Sequence, residues 1–123
     1  MRRVVHFEIP ADNPDRLVDF YGGVFGWKVN KWESGASDYW LISTGDSHPG
    51  IDGGMMRRSE TVKATVNTIE VESLEETLSQ IEDRGGQLVQ GPQRIPGVGS
   101  FAYCTDPDGN LFGVMQSAPA AGQ

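Results

Sequence analysis

The chain repeats itself once, and this internal repeat limits the fold more than any other feature of the sequence. Sliding the sequence by 60 residues brings the two halves into register without a gap and keeps the predicted elements in the same order. The superposed pairs are Ile9/Ile69, Gly26/Gly86, Val29/Val89, Asp46/Asp106, Gly53/Gly113 and Met55/Met115. Each half is therefore predicted to form the same βαβββ unit.

The first half begins with a strand and a helix. Residues 3–9 alternate around β-branched and aromatic side chains and predict a strand that stops at Pro10. Asn13 and Pro14 predict the start of a helix, and Gly26 predicts its end in a left-handed cap. Further strands are expected at residues 27–33, 38–44 and 50–57. The helix should bury an apolar stripe against a sheet, made of Leu17, Phe20, Tyr21 and Val24.

The second half follows the same order. A strand is predicted at residues 63–71, and Ser73 with Glu76 forms a capping box for a helix that ends before Gly85 and Gly86. Strands at residues 87–90, 99–104 and 111–116 complete this half. We therefore expect one domain over residues 1–117, built from halves of about 3–57 and 63–116, and a disordered tail at 118–123.

Composition narrows the choice of partners. Ten Lys and Arg against seventeen Asp and Glu give a net charge of −7, which disfavours nucleic acid and anionic membranes. The single cysteine, Cys104, cannot form an internal disulfide, and no apolar run approaches the roughly 18 residues of a membrane span. A cytoplasmic protein without a nucleic-acid or membrane partner is expected.

Three motifs resemble the vicinal oxygen chelate superfamily, which includes glyoxalase I, extradiol dioxygenases and bleomycin resistance proteins. They are Asp-Phe-Tyr at 19–21, Val-Phe-Gly-Trp-Lys at 24–28 and Asp-Pro-Asp-Gly-Asn at 106–110. The resemblance runs from Val4 to Gln116 and is closest to small glyoxalase-like members. It implies an α+β fold in which tandem βαβββ units form a cupped mixed sheet with outer helices. The resemblance is specific for the fold and says little about the reaction.

The resemblance also implies where a metal would bind. The four ligand positions of the metal-using members fall here on His6, Gly53, Val66 and Gly113. Glycine and valine have no side-chain donor, so we expect no metal at the family site and no other cofactor. One alternative stays open, in which a divalent metal is held by a substitute trio of His6, Glu8 and Asp52. That trio would need a bulge to turn Asp52 into the cleft.

Alternation along the first strand places His6 and Glu8 on one face and turns Phe7 and Ile9 towards the helix. The same alternation applies to the second half of the repeat, and the third strands of both halves supply aromatic walls. The ligand-binding candidates are therefore His6, Glu8, Thr68, Tyr39, Phe101, Tyr103 and Met115. The sequence leaves open whether Tyr39 or Trp40 faces into the cleft. Structural alternatives also stay open, with His6 as a hydrogen-bonded strand residue and Glu8 facing solvent or pairing with an arginine.

Several other reactive side chains are interpreted structurally. His48 is expected to be exposed in a turn, and Cys104 to pack in an apolar strand. Asp106 and Asp108 belong to the tight turn before the last strand and need no catalytic role. Three methionines are expected to fill the cleft or a dimer seam, namely Met55, Met56 and Met115.

Two functions fit these residues, and the sequence leaves open whether the protein is an enzyme. The favoured one, similar to bleomycin resistance proteins, is a binding module for a small aromatic or cationic molecule that uses no metal quartet. The alternative is a lyase, isomerase or dioxygenase-type enzyme acting on a small carbonyl substrate, with His6 and Glu8 as catalytic residues and a non-standard metal site. Superfamily chains of this size commonly pair, so a homodimer is also expected.

Overall fold

The computed structural model describes residues 2–33 and 37–118 and contains two helices and eight strands. The order is βαβββ twice, which confirms the predicted α+β fold. The elements in chain order are β1 (Val4–Ala11), α1 (Pro14–Phe25), β2 (Lys28–Lys31), β3 (Tyr39–Ser43), β4 (Asp52–Arg57), β5 (Val66–Glu70), α2 (Leu74–Asp83), β6 (Gln87–Ile95), β7 (Gly99–Thr105) and β8 (Leu111–Ser117).

The chain divides into two compact units at Val66. The first unit, residues 5–66, has its strands in the order β2-β3-β4-β1, with β1 and β4 parallel and the other neighbours antiparallel. The second unit contains residues 67 onward together with residues 1–4 and has the order β6-β7-β8-β5, with β5 and β8 parallel. Each unit therefore pairs its first strand with its last.

Both helices begin as the sequence predicts. The Asn13 side chain accepts a hydrogen bond from the Arg16 backbone N–H, and the Ser73 hydroxyl accepts one from the backbone N–H of Glu76. Such caps satisfy N–H groups that have no partner within the helix. Gly26 ends α1 in the left-handed conformation, with φ of 74°.

The core of the first unit lies between α1 and one face of its sheet. Its buried members are Ala11, Trp40, Ile42 and Met55, and the partly buried residues packed on them include Phe7, Ile9, Leu17 and Val18. Met55 is 1% exposed and belongs to this core, so its predicted place in the cleft or a dimer seam is wrong.

The predicted stripe on α1 is half wrong. Phe20 and Val24 are 51% and 59% exposed, while Leu17 and Val18 are the α1 residues that pack on the core. The ring of Tyr21 stacks on Trp27 with centroids 5.0 Å apart, and Phe20 meets Tyr21 edge-on. Because Trp27 follows the Gly26 cap of the helix, this stacking holds the Tyr21 side of α1 against the chain that leaves the helix.

The second unit has an equivalent core of Leu74, Ala102, Cys104 and Val114. Cys104 is fully buried there, which confirms its packing role, and burial raises the pKa of its thiol. The turn before β8 is also structural, as expected. Asp106 Oδ1 accepts backbone hydrogen bonds from Asp108 and Asn110, both at 2.9 Å.

Several predicted strand ends are displaced. β1 continues through Pro10 to Ala11, whose carbonyl accepts a hydrogen bond from the backbone N–H of Arg58 at 3.0 Å. β6 runs on to Ile95 because β7 keeps pairing with it across two register shifts, whereas the sequence predicts an end at Gln90. Strands β2, β3, β4 and β5 are shorter than predicted.

The first residue of the predicted tail, Ala118, follows β8 directly and is described by the structure. The Ala118 N–H donates a hydrogen bond to the Val98 carbonyl at 2.8 Å, so residue 118 is tied down. The rest of the predicted tail, residues 119–123, lies outside the described residues. Within the described part of the chain, neither helix has the length and apolar character needed to cross a membrane.

Candidate functional site

The polar residues of β1 lie on the sheet face opposite α1. In the parallel pair β1/β4, His6 is the register partner of Asp52 and Glu8 is the partner of Gly54. Strand side chains alternate between faces, so these positions share one face, while Phe7 and Gly53 share the helix-facing side. Asp52 therefore lies on the face of His6 in regular register, and the predicted need for a bulge is wrong.

A chain of hydrogen bonds crosses this face. The Tyr39 hydroxyl lies 2.9 Å from His6 Nε2 and donates a hydrogen bond of 2.9 Å to Glu8 Oε2. The three residues come from two strands, β1 and β3, with β4 between them in the sheet. The Tyr39 side chain thus spans β4 to join the two polar residues of β1.

Glu8 is buried, with 6% of its surface exposed. The solvent-facing alternative for this residue is therefore wrong, and its carboxylate is held by the Tyr39 hydroxyl. A carboxylate removed from water costs several kcal/mol unless hydrogen bonds compensate it. The bond from Tyr39 is thus part of what allows a charged group to occupy this position.

Gly54 makes room for Tyr39. A Cβ atom built on Gly54 would overlap the Tyr39 hydroxyl, and even the ring carbon Cε1 would lie only 2.6 Å from it. The Cβ of a residue at 53 would instead meet Phe7 on the other face, at 2.6 Å. The predicted ligand position Gly53 is therefore wrong, since Gly54 is the β4 residue beside Glu8.

The two halves differ by one residue between their first and last strands. Glu8 pairs with Gly54 and Thr68 pairs with Gly113, so the offset is 60 residues at the first strand and 59 at the last. A shift of one residue turns every side chain of a strand to the other face. The ungapped alignment therefore assigned Gly53 to the wrong side of the sheet.

The second unit carries an equivalent but apolar arrangement. Phe101 lies over Gly113 as Tyr39 lies over Gly54, with its Cζ atom 2.7 Å from where a Cβ would stand. Thr68 occupies the place of Glu8, and its Oγ1 is buried without a hydrogen-bond partner. Because Phe101 lacks a hydroxyl, this unit has no counterpart of the bond between Tyr39 and Glu8.

The structure thus sorts the predicted ligand-binding residues into two groups. His6, Glu8 and Tyr39 meet in the first unit. The other four lie together in the second unit, where Phe101 pairs with Met115 in register and meets Tyr103 edge-on at 4.7 Å, with Thr68 beside Gly113. The exposed position of His48 is confirmed.

Sequence reasoning missed Trp32. Its ring meets Tyr39 edge-on at 6.1 Å, and its backbone N–H donates to the Tyr39 carbonyl at 2.8 Å. Trp40, the competing aromatic wall, lies in the core on the helix-facing side, with Lys31 and Arg57 each 5.7 Å from its ring centroid. Strand alternation would have placed Tyr39 on the same sheet face as His6 and Glu8 if the register of β3 with β4 had been known.

Burial changes the acidity of His6. Desolvation of the half-buried imidazole lowers the pKa of His6 below its ordinary value of 6.5, and the negative charges of Glu8 and Asp52 oppose this effect without cancelling it. The imidazole is consequently neutral at pH 7. A neutral ring has one nitrogen that donates and one that accepts.

The residues present do not fit the metal site that the resemblance implies. Asp52 Oδ1 accepts hydrogen bonds from the backbone and the hydroxyl of Thr44, at 2.9 and 3.2 Å, and His6 Nε2 is taken by Tyr39. Over residues 2–33 and 37–118, no three His, Cys, Asp or Glu side chains are grouped closely enough to hold a metal ion. The substitute trio of His6, Glu8 and Asp52 is therefore not assembled.

Comparison with known families gives a match over almost the whole chain. The profile of the Glyoxalase/Bleomycin resistance protein/Dioxygenase superfamily matches residues 3–114. Two curated relatives, both named as the glyoxylase CFP32, come from Mycobacterium bovis and Mycobacterium tuberculosis, and each is 32% identical over 114 residues. The match covers 91% of this chain but 43% of each relative, so the chain spans less than half of their length.

Solved structures share the fold at low identity. BH1468 from Bacillus halodurans superposes with a TM-score of 0.71 at 16% identity, covering 98% of both chains. Methylmalonyl-CoA epimerase from Streptomyces coelicolor, in complex with 2-nitronate-propionyl-CoA, gives 0.69 at 17% identity over 96% of both chains. The epimerase from Mycobacterium tuberculosis gives 0.67 at 15% identity, covering 94% of this chain and 88% of the other.

The lowered pKa of His6 predicts that the free energy of unfolding falls as the pH drops below about 6.5. An unfolded histidine titrates near 6.5, so between that pH and the lower folded pKa the unfolded chain binds the extra proton. The stability gained from a neutral His6 is complete above about 6.5 and is lost as the pH falls from there to the folded pKa. Urea unfolding at a series of pH values measures this slope.

The matched variants are His6→Gln and His48→Gln. The first should flatten the dependence just below pH 6.5, where an unfolded histidine titrates. The second replaces an exposed histidine in a turn and is the control for the substitution itself. Asp38 and Asp106, whose pKa values are lowered by hydrogen bonds from Arg57 and Asn110, titrate below 3.8 and stay outside this range. An unchanged slope in His6→Gln would show that His6 is not buried as a neutral group.

Proposed function

We propose a function for this chain, which belongs to the Glyoxalase/Bleomycin resistance protein/Dioxygenase superfamily. It binds a small organic molecule that carries an aromatic ring and a cationic or hydrogen-bond-donating group, and it does so without a metal ion. The site is the face of the first unit that carries His6, Glu8 and Tyr39.

The observation that carries this proposal is the Tyr39 bridge between His6 and Glu8. It holds a carboxylate and an imidazole in fixed positions, and a preorganised acceptor loses little entropy when a ligand binds. Asp52 adds a second negative charge near His6. The rings of Tyr39 and Trp32 meet edge to face with their centroids 6.1 Å apart. They offer aromatic surface on which a ligand ring can stack or a cation can bind.

The other predicted ligand-binding residues belong to the second unit and remain predictions. Thr68, Phe101, Tyr103 and Met115 give a largely apolar, aromatic group that includes the buried and unpartnered hydroxyl of Thr68. A group of this kind suits the hydrocarbon part of a ligand better than its charged part. Variants of Phe101 therefore report on this group separately from variants of Glu8.

An enzyme remains the second candidate, and one observation favours it. Burial keeps His6 neutral at pH 7, and a neutral imidazole is the form that accepts a proton from carbon or oxygen. The relatives named as glyoxylases, and the epimerases with the same fold, carry names of enzymes acting on carbonyl compounds. In this reading His6 is the general base and Glu8, through Tyr39, orients it.

A homodimer is the proposed assembly. Three apolar side chains of α1 are exposed in the single chain, namely Phe20 (51%), Val24 (59%) and Phe25 (59%). Exposed apolar residues grouped on one helix are typical of a surface that a second protein covers. The proposed location of the protein is the cytoplasm, which suits its unpaired, buried Cys104.

Ligand binding is tested by a thermal-shift screen of aromatic amines, cationic antibiotics and hemithioacetal-like carbonyl compounds. Glu8→Gln keeps an acceptor for the Tyr39 hydroxyl and removes only the charge, so a cationic hit should bind about 1 to 3 kcal/mol more weakly, or about 5- to 150-fold. Phe101→Leu should weaken the binding of those hits whose ring contacts Phe101 in the second unit. Calorimetric titration of each hit measures both effects.

The same variants separate the two candidate functions. If the chain is an enzyme, His6→Ala should abolish turnover of a carbonyl hit and leave its affinity nearly intact. If it is a binding module, His6→Ala should weaken binding and no hit should be turned over. Hits that bind Glu8→Gln and His6→Ala as tightly as the unaltered chain would place the ligand elsewhere and overturn the proposed site.

The assembly is tested by light scattering at micromolar concentration. A dimer gives about twice the chain mass of 13.4 kDa. Val24→Gln should lower the association constant, because it places a polar group in the exposed patch of α1, while Val89→Gln, at a residue 46% exposed on β6, serves as the control. A mass of 13.4 kDa for the unaltered chain would contradict the dimer.

A further inference from the structure

The direction of the hydrogen bonds at Tyr39 fixes the proton on His6. A tyrosine hydroxyl has one proton, and here it is donated to Glu8 Oε2. An ionised carboxylate can only accept, so this proton cannot be shared with His6 at the same time. The contact of 2.9 Å between His6 Nε2 and the Tyr39 oxygen must then be a hydrogen bond donated by Nε2–H.

We infer that Tyr39, seated over Gly54, is a positioning residue that holds His6 in its Nε2–H form and so makes Nδ1 the acceptor presented to a ligand. This inference rests on the proposed function and names the chemistry that the site recognises. The ligand donates hydrogen bonds, as an amidinium, ammonium or amide N–H does. A ligand that offers only acceptor oxygens, such as a carboxylate, is repelled.

Nδ1 is not sealed inside the protein. In the described part of the chain, Thr68 Oγ1 is the only side-chain nitrogen or oxygen that is both buried and without a hydrogen-bond partner. His6 is half-buried and uses Nε2 for its bond to Tyr39. Its lone pair on Nδ1 is therefore available to a donor from outside the chain.

Gly54 is the second part of this arrangement. Any side chain at 54 would displace the Tyr39 hydroxyl, because its Cβ would overlap that oxygen. Tyr39 and Gly54 are diagonal neighbours on adjacent strands, since Tyr39 pairs with Met56 and Leu41 pairs with Gly54. An aromatic ring that leans over a glycine of the next strand is a stable cross-strand contact.

The positioning role is tested in the free protein by NMR of ¹⁵N-labelled chain at neutral pH. The unaltered chain should show a pyrrole-like Nε2, a pyridine-like Nδ1 and an Nε2–H proton protected from exchange with water. Tyr39→Phe removes the hydroxyl and keeps the ring, so the protected proton should disappear. Gly54→Ala should have the same effect because it displaces the hydroxyl.

Gly53→Ala is the matched control for a purely structural effect. Its Cβ would meet Phe7 on the other face of the same strand, so it should lower stability and leave the His6 proton protected. Gly50→Ala, with nothing within 4 Å of its Cβ, should change neither property. A protonated Nδ1 in the unaltered chain, or a protected Nε2–H that survives Tyr39→Phe, would overturn the inference.

The ligand chemistry is tested with benzamidinium and benzoate, which have the same ring and opposite groups. Benzamidinium should shift the Nδ1 resonance of His6 at millimolar concentration, and benzoate should not. Tyr39→Phe should weaken benzamidinium binding about 5- to 10-fold, the loss typical of one misplaced hydrogen bond. Benzoate binding as tight as that of benzamidinium would overturn the assigned ligand chemistry.

These two measurements fail independently. If the His6 proton behaves as expected but neither compound binds, the positioning role is supported and the donor-ligand assignment is wrong, together with the proposed function at this face. If benzamidinium binds while the His6 proton is on Nδ1, the proposed function is supported and the positioning role of Tyr39 is overturned.

Discussion

The buried carboxylate of Glu8 is the constraint on which the arrangement of the first unit depends. A charge that is 6% exposed must be compensated by hydrogen bonds, and the Tyr39 hydroxyl provides one of them from across β4. That reach requires a glycine at 54, since any side chain there would overlap the hydroxyl. His6 is tied to the same hydroxyl, which lies 2.9 Å from its Nε2 atom.

The second unit shows what the fold does without this charge. Thr68 replaces Glu8, Phe101 replaces Tyr39, and Gly113 again provides the space under the ring. The result is a packed apolar surface with an unpartnered hydroxyl on Thr68, a group whose burial costs about 1 to 3 kcal/mol. The repeated backbone therefore supports two different surfaces, and the polar chemistry belongs to the first unit.

Much of the fold could be read from the sequence, because the repeat, the caps at Asn13 and Ser73 and the alternation in β1 are local signals. The site could be read only in part. His6 and Glu8 follow from alternation, but Gly54 does not, since the halves slip by one residue between their first and last strands. The choice of Tyr39 over Trp40 depends on the register of β3 with β4, which no local pattern specifies.

We propose that Tyr39, seated over Gly54, holds His6 as a hydrogen-bonded acceptor and not as a metal ligand, and metal binding tests this proposal most directly. Nε2 of His6 is engaged by Tyr39, and over residues 2–33 and 37–118 no three His, Cys, Asp or Glu side chains are grouped closely enough to hold a metal ion. Elemental analysis of the untagged protein after equilibration with zinc, nickel, manganese and iron should therefore find no stoichiometric metal that depends on His6. One equivalent of metal per chain, lost in His6→Ala, would contradict the account.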